Sequence, residues 1–530
     1  MKFTAKYLAK SVKIDHLHYI FKLSTNQKPT LMKKFLLLLC IVVIPGLMAA
    51  QTEMGRINVS DWVLFSTGSN KQIKKINDTT MYAYYRSGPD KSGIKIFDKK
   101  MNIIRDIPLE LTKNKKVIFT RRAYAEFISF PYTFYRPDIR AVVIVGYTKN
   151  DRKDFSVVGI TYSIDGAGLL DVQELANTSS DNFLIRYSNN EAYFVIAELL
   201  KKNTEKGYKV KYDVFNTECT KVLSTEGDLI RHTDNYFRIL DNGELILFNI
   251  KERGREMTYQ FTRVDKFGNK STAVYAPPKS SKENYNGFSI IQSAAGEYFA
   301  TSIKYKTKAD GFAILKIDFD NNTVKKITEK TFDKTAFAKL NSIRTKSVRM
   351  VDKKLKPIRK FTTYSIYNTS ADEDNIYIIL QNSYVKVKRS RYNTTYTYVQ
   401  EGLIVGCYNN IGDEQWITPI RSLAKQIEGD MNSINGNGLS VAPSLYETPD
   451  DICLLLRSQN KTFYTRIDKA TGKDIEPVLI LDDEKTATNA NCFGWFDDDE
   501  FIVLSMKGLS LWKKNDFWLK SIKINDKPEI

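Results

Sequence analysis

A four-strand unit recurs along this chain, and that repeat constrains the fold more than any other feature. The clearest copy starts at Tyr236. YFRIL reads as a strand, Asp241-Asn242-Gly243 as a turn, ELILFNIK as a second strand, MTYQFTRV as a third, and Asp265-Lys266-Phe267-Gly268-Asn269 as the turn into a fourth. Asx and Gly at these steps supply the positive φ that tight hairpins need. The grammar returns in FSII, Ala295-Gly296, EYFATSIKY and FAILKI up to Asp318, in NFLIRYS, AYFVIAEL and YKVKYDVFN from Asn182, and in LSVAPSLY, DICLLLRS and FYTRIDKATG from Leu439. Weaker copies end at Asp98, Asp165 and Asn409, with a partial one near Asn515. The residues that turn the third strand into the fourth then fall at 98, 165, 216, 265, 318, 409, 468 and about 515. Short antiparallel strands in fours, repeating at roughly 40–50 residues, are the pattern of propeller blades. One blade cannot bury both of its faces, so blades must stack around an axis. The expectation is an all-β protein, a β-propeller of seven or eight four-stranded blades, closed by a strand exchanged between the termini. Two β-sandwich domains are the alternative, since their strands also recur at short intervals.

The first 50 residues stand apart. Met32-Lys33-Lys34 is a basic start, FLLLLCIVVI an apolar run, Pro45-Gly46 a break, and Leu47-Met48-Ala49-Ala50 leads to Gln51. That is the three-part grammar of a secretory signal, with a run too short for a comfortable membrane span. Residues 32–50 are therefore expected to be a signal peptide, cleaved before Gln51. Residues 1–31 are read as a leader assigned upstream of the real initiator Met32. The expected body, 51–525, is periplasmic or extracellular, soluble or peripherally attached, and has no transmembrane helix after processing. Leu39 precedes Cys40 where lipoprotein processing wants a small residue.

The formal charge of +19 loses much of its meaning once located. Eight Lys and one acid lie in the first 50 residues, and Lys330–Lys360 carries eleven basic residues against Asp333 and Asp352. The rest of the body is close to neutral, so nucleic acid is not an expected partner: phosphate tracking needs basic charge spread over a face. The segment 329–371 reads as a basic insert, a flexible like-charged run, with docking to lipid headgroups or an acidic partner as the functional alternative.

From about Ile327 to Leu456 the order of features is KTFDKTAFAKL, KSVRMVDKKLKPIRK, ADEDNIYIILQNSYV, a Tyr-rich polar loop, EGLIVGCYNNIGDEQW ending in Trp416, and DDICLLLRS. This stretch resembles uncharacterised exported β-propeller-like proteins of Bacteroidota-type bacteria. The resemblance implies fold and export, and brings no catalytic role with it.

Chemistry is sparsely supplied. Of three His, His16 and His18 precede the signal, which leaves His232 as the single imidazole of the body. It reads as a loop residue, and no second His or Cys-x-x-Cys is available for zinc. Cys219, Cys407, Cys453 and Cys492 read as buried thiols on strands, with one bridge as the alternative. Asp497-Asp498-Asp499-Glu500 falls in a first hairpin turn and reads as solvated acids, or otherwise as the catalytic pair of a glycoside hydrolase. Asp318, Asp320, Asn321 and Asn322 have no Glu to close a calcium loop. The sequence thus nominates no catalytic residue, no metal ligand and no cofactor. Its binding candidates are Tyr384, Lys386, Lys388, Arg389, Arg391 and Tyr392, in the stretch YVKVKRSRYNTTYTY, where cations and rings alternate along one hairpin. Such a surface suits sugar rings or an anionic polymer; a hairpin decorated for solubility is the plainer alternative. The expected function is non-catalytic binding or scaffolding, with a glycan, an anionic polymer or an envelope protein as partner. The alternative is a propeller-type glycan hydrolase or lyase using Asp, Glu and Tyr.

Overall fold

The computed structural model describes residues 51–59, 73–86, 92–108, 132–149, 155–166, 168–178, 183–203, 207–229, 236–253, 256–278, 284–305, 308–350, 357–358, 361, 363–389, 394–427, 443–458, 461–482, 494–507 and 516–525. The expected leader, the signal peptide, His232 and Cys492 lie outside them.

Strands dominate because runs such as AVVIV, LILF and ICLLL are apolar on both faces, which suits a sheet covered on both sides. Tyr298–Tyr305 and Asp451–Ser458 are buried along almost their whole length. The fourth strand of a unit is different. Thr323–Thr331 (TVKKITEKT) is fully buried on neither face: Lys325 is exposed, while Lys326 and Lys330 are half-buried and paired with Glu329 and Glu414.

Seven sheets result among the described residues. Five have four strands: 73–108, 132–178, 183–229, 444–482, and a composite of Gln51–Asn58 with the last three strands of the chain, 494–524. One has five strands (364–427), and one has eight (237–331). Within each four-strand unit other than the composite, neighbours pair antiparallel and in sequence order, as in Phe248↔Phe261 and Phe261↔Ala273. The eight-stranded sheet is two such meanders joined by a single parallel bridge, Val274↔Thr323. The expectation of seven or eight separate blades is corrected accordingly: six sheets are single and blade-sized, and the seventh is double. The bridge forms where the outer strands of two meanders come close enough to share one rung.

The apolar cores lie between sheets and follow one another around the molecule. Tyr82 and Ile94 pack on Val142 and Ile160; Val143 and Val157 on Phe194 and Phe215; Val195 and Val214 on Phe237 and Leu247. Phe248 and Phe261 meet Phe288 inside the double sheet. Phe312 and Ile314 meet Ile378 and Ile404, and Ile379 and Val405 meet Leu454 and Phe463. Tyr446 and Tyr464 then stack on Trp495 and Phe501, and Phe496, Ile502 and Leu519 pack on Ile73, Met81 and Phe97. The series returns to its start. Face-to-face sheets in a closed series are a β-propeller, and the strand Gln51–Asn58 beside the C-terminal strands is the exchanged strand that closes it. Of the described residues, Gln51, Thr52, Ile524 and Asn525 belong to a second, small unit, in which Asn525 Nδ2 donates to Thr52 Oγ1 at 2.5 Å.

The turn after the third strand has a shared construction. At Asp98, Asn216, Asp265 and Asn409 the side chain accepts the backbone N–H four residues on, at 2.7–2.9 Å. The residue three positions on takes positive φ: Met101 (62°), Cys219 (60°), Gly268 (86°) and Gly412 (100°). This is a type I turn followed by a left-handed bulge residue, capped by an Asx side chain. Asp468 closes a turn one residue longer, through Thr471 N and Gly472. Asp165 differs, its carboxylate pairing with Arg140 instead. The turn expected near Asn515 is a correction: the third strand of that unit runs Asp516–Ile524, and the strand beside it is Gln51–Asn58.

The segment expected to be a flexible basic insert is folded where it is described. Its ends are strands, Thr323–Thr331 and Tyr364–Ala371. Between them the helix Lys334–Ser342 is N-capped by Asp333, which accepts from Ala336 N at 2.8 Å, and it buries Phe337 and Leu340. Phe332, Phe361 and Tyr364 stack in sequence, at 4.5 and 4.9 Å between centroids and nearly parallel. Lys330 and Lys339 both reach Glu414. Asp474 accepts the N–H groups of Lys346 and Ser347 at 3.1 and 2.8 Å and holds the 3-10 turn Lys346–Met350. Opposite charges and acceptors up to 128 positions away turn a like-charged run into ordered structure.

Candidate functional site

Two regions carry chemistry beyond packing, and their charges are opposite. The first is an arm. Asn375–Arg389 and Thr394–Asn409 are 15- and 16-residue strands, much longer than their neighbours. The strand Tyr364–Ala371 pairs with the first of them only as far as Asn382. Beyond that point the pair continues from Tyr384↔Val399 to Arg389↔Thr394, and Ala424–Ile427 flanks its other side. Alternation separates what the sequence interleaves: Tyr384, Lys386 and Lys388 share one face, while Val385, Val387 and Arg389 take the other. Lys386, Lys388 and Arg389 are exposed, as are Val385 (46%) and Val387 (49%). Lys386 Nζ lies 5.4 Å over the Tyr384 ring. Tyr384 OH donates to Glu401 Oε1 at 2.7 Å; burial and this carboxylate push the phenol up to about 12, so it stays a protonated donor. Arg391 and Tyr392 lie outside the described residues. The structure therefore brings together Tyr384, Lys386 and Lys388, and places Arg389 on the reverse face.

The second region is an open acidic cleft of about 610 Å³, among whose lining residues are Glu447, Asp450, Asp451, Arg466, Asp497 and Asp498. Two hairpin turns build it. In one, Thr448-Pro449-Asp450, Thr448 Oγ1 accepts Asp451 N at 2.8 Å, and Pro fixes the backbone. The other is the Asp497–Asp499 turn, following the short strand Gly494–Trp495. Carboxylate oxygens of Asp497, Asp498 and Asp499 lie within 4.8 Å of one another. Asp451 is 7% exposed. Its Oδ2 takes Arg466 Nη1 at 3.2 Å, and its Oδ1 is buried with no hydrogen-bond partner. Burial raises its pKa above the usual carboxylate range, with Asp468, Asp498 and Asp450 adding to the effect against Arg466. Glu447 is fully engaged by Asn368, Ser370 and Lys469.

The expected turn position of the Asp497 cluster is what the structure has, but Glu500 belongs to a strand and is held by Lys99 and Lys523. Sequence reading missed Asp451 as a partner of that cluster. Its only signal was an acid heading an apolar run, since the pairing depends on which sheets are neighbours. Asp318 is consumed by its own turn, accepting from Asp320 N, Asn321 N and Asn321 Nδ2. Cys219, Cys407 and Cys453 are buried and unbridged, and burial pushes each thiol up to about 12. They are inert as nucleophiles near neutrality. Among the described residues no helix is long and apolar enough to cross a membrane.

No protein-family model matches the chain, and no curated protein matches it. Similar solved structures include the WD40 domain of SCAP from fission yeast, 10% identical with a TM-score of 0.35, covering 88% of this chain and 94% of that one. The Dos1 propeller is 10% identical with a TM-score of 0.34 over 90% and 96%. The polysaccharide lyase Uly1 is 9% identical with a TM-score of 0.32 over 74% and 89%. Likeness at this level says nothing of activity, and the propeller rests on the chain's own strand order and closed series of cores.

Proposed function

We propose that this is an exported, non-catalytic binding protein that uses the arm at Tyr384–Arg389 to hold an anionic polymer, such as an acidic glycan. The carrying observation is that Lys386, Lys388 and Arg389 stand exposed on a strand that outruns its neighbour. Cations on a rigid strand lose less entropy on binding than cations on a loop. Tyr384 beside Lys386 adds a ring edge for a sugar. The export half of the reading is supported by the signal grammar of residues 32–50, followed at Gln51 by the first described strand.

The test is affinity electrophoresis through gels containing polygalacturonate or neutral dextran. Retardation by the acidic polymer alone, weakening with salt and lost in Lys386→Glu/Lys388→Glu, is the expected result. Equal mobility in both gels overturns the reading. Export is tested separately by N-terminal sequencing of the processed protein, with Gln51 expected first.

A glycan hydrolase or lyase has one specific observation in its favour, a carboxyl with a raised pKa (Asp451) sharing a cleft with other acids. Turnover of any glycan that disappears in Asp451→Asn would establish it over the binding reading.

A further inference from the structure

We propose that the reverse face of the arm, which carries Val385, Val387 and Arg389, docks on an anionic lipid surface. Polymer binding uses the Lys386–Lys388 face; lipid docking uses the other. Val385 and Val387 are 46% and 49% exposed and lie two positions apart on one strand, so they stand on the same face. Among the described residues, no other strand exposes two large apolar side chains on one face. The register puts Tyr398 directly across from Val385 and Tyr396 directly across from Val387, and directly opposed positions share a face. Arg389, across from Thr394, ends the same row. From Tyr384 to Gln400 the chain has four cations and no acid.

Single exposed valines need no explanation, but a row that runs from apolar through aromatic to cationic does. Each part of it matches one layer of a bilayer surface. Valine gains from the acyl boundary, tyrosine settles at headgroup depth with its ring apolar and its hydroxyl wet, and a guanidinium takes phosphate bidentately. An apolar protein surface would cover the valines and leave an acid-free ribbon without counter-charge. A free anionic polymer would answer the cations and leave the valines in water. Anionic lipid serves both. Past Asn382 the strand continues for about 20 Å, enough to touch a surface while the sheets of the ring stay clear of it. Such binding grows with apolar area and with the number of cations near the surface, so two valines and an arginine make a weak, reversible contact.

The experiment is co-sedimentation of the mature protein with vesicles of mixed phosphatidylglycerol and phosphatidylcholine, or of phosphatidylcholine alone, at about 0.1 M salt. Sedimentation with the anionic vesicles alone is expected. Val385→Thr/Val387→Thr, which keeps the strand propensity, should lower the bound fraction about fivefold and leave retardation in polygalacturonate unchanged. No sedimentation of the unaltered protein with the anionic vesicles overturns the proposal, as does equal sedimentation with both kinds. Undiminished sedimentation of the valine variant overturns it too, because charge alone would then account for the binding. Should the valine variant prove less stable in urea, Arg389→Gln decides: the same loss supports the lipid face, and full binding overturns it. Polymer binding is read without lipid and through other side chains, so either reading can fail alone.

Discussion

The turn at Asn409–Asp413 and the arm that ends at Arg389 belong to the same pair of strands, at opposite ends, and are stabilised in different ways. The turn is determined by its own residues and by a neighbour. Asn409 caps it, Gly412 takes positive φ, and Thr328 Oγ1 of the adjacent meander donates to Gly412 O. The arm rests on cross-strand register, the flanking strand Ala424–Ile427 and the bond from Tyr384 OH to Glu401, with valines exposed on one face and lysines on the other. One end of the sheet is built for the ring and the other projects from it. Substitutions at the turn end should therefore cost stability, and substitutions on the arm should cost binding.

The largest effect is expected at Gly412. A Cβ there would sit 2.3 Å from Ile327 O and 2.5 Å from Thr328 Oγ1, with φ at 100°. Gly412→Val should lose about 3 kcal/mol or more in urea unfolding, from clash and backbone strain together. Gly296→Ala separates the two causes, because φ is 83° but nothing lies within 4 Å; about 1 kcal/mol is expected from φ alone. Equal losses at both sites would mean that the contact with Ile327 does not matter and that the turn stands by itself.

Lysines sharpen the comparison next. Lys304 is 1% exposed and pairs with Glu329 at 2.6 Å, whereas Lys386 and Lys388 are in solvent. Glu329→Gln strands a buried ammonium and should cost about 3 kcal/mol, with Asp310 at 4.0 Å as weak compensation. Despite its own burial, Glu329 is pulled down to about 2 by Lys304 and Lys326. A carboxyl depressed on folding stabilises fully above its unfolded value, near 4.5, and that contribution is lost as pH falls towards 2. The stability difference between Glu329→Gln and the unaltered protein should accordingly shrink across that window in acid-unfolding curves. A difference independent of pH would remove the ion pair as its cause.

What the sequence made legible follows the same division. Asp98, Asn216, Asp265, Asp318, Asn409 and Asp468 were readable because an Asx-capped turn is a local device of four or five residues. The last turn was misplaced because a strand from the other end of the chain, Gln51–Asn58, completes that sheet beside Asp516–Ile524. Met101 and Cys219 hide the bulge position that Gly268 and Gly412 announce. The helix Lys334–Ser342 and the 3-10 turn after it were missed because Glu414, which holds Lys339, and Asp474, which holds Lys346 and Ser347, lie 75 and more positions further along the chain. The arm was legible as a hairpin, yet only the pleat reveals that its rings and cations do not all share a face. The acidic cleft was half legible: Asp497–Asp499 are contiguous, and Asp451 joins them only through the neighbouring of two sheets.

At the small end stand the cap and the arm. Asp265 accepts Phe267 N and Asn269 N, both at 2.8 Å, on an exposed turn. Asp265→Ala should lower the urea midpoint only slightly, because water replaces part of what the carboxylate gave. Lys386→Ala/Lys388→Ala should stay within about 0.5 kcal/mol of the unaltered protein in the same urea titration, since neither side chain is buried and neither forms an ion pair among the described residues. The contrast depends on that near-zero value. If the double arm variant destabilised the protein as much as the cap variant, Lys386 and Lys388 would be holding the arm together, as charged guards on an open strand edge do. Loss of polymer binding in their Glu variants would then report a damaged arm instead of a missing contact. If stability is untouched while retardation in polygalacturonate falls, the lysines act on the ligand, and the end of the sheet that contributes least to folding is the end that binds.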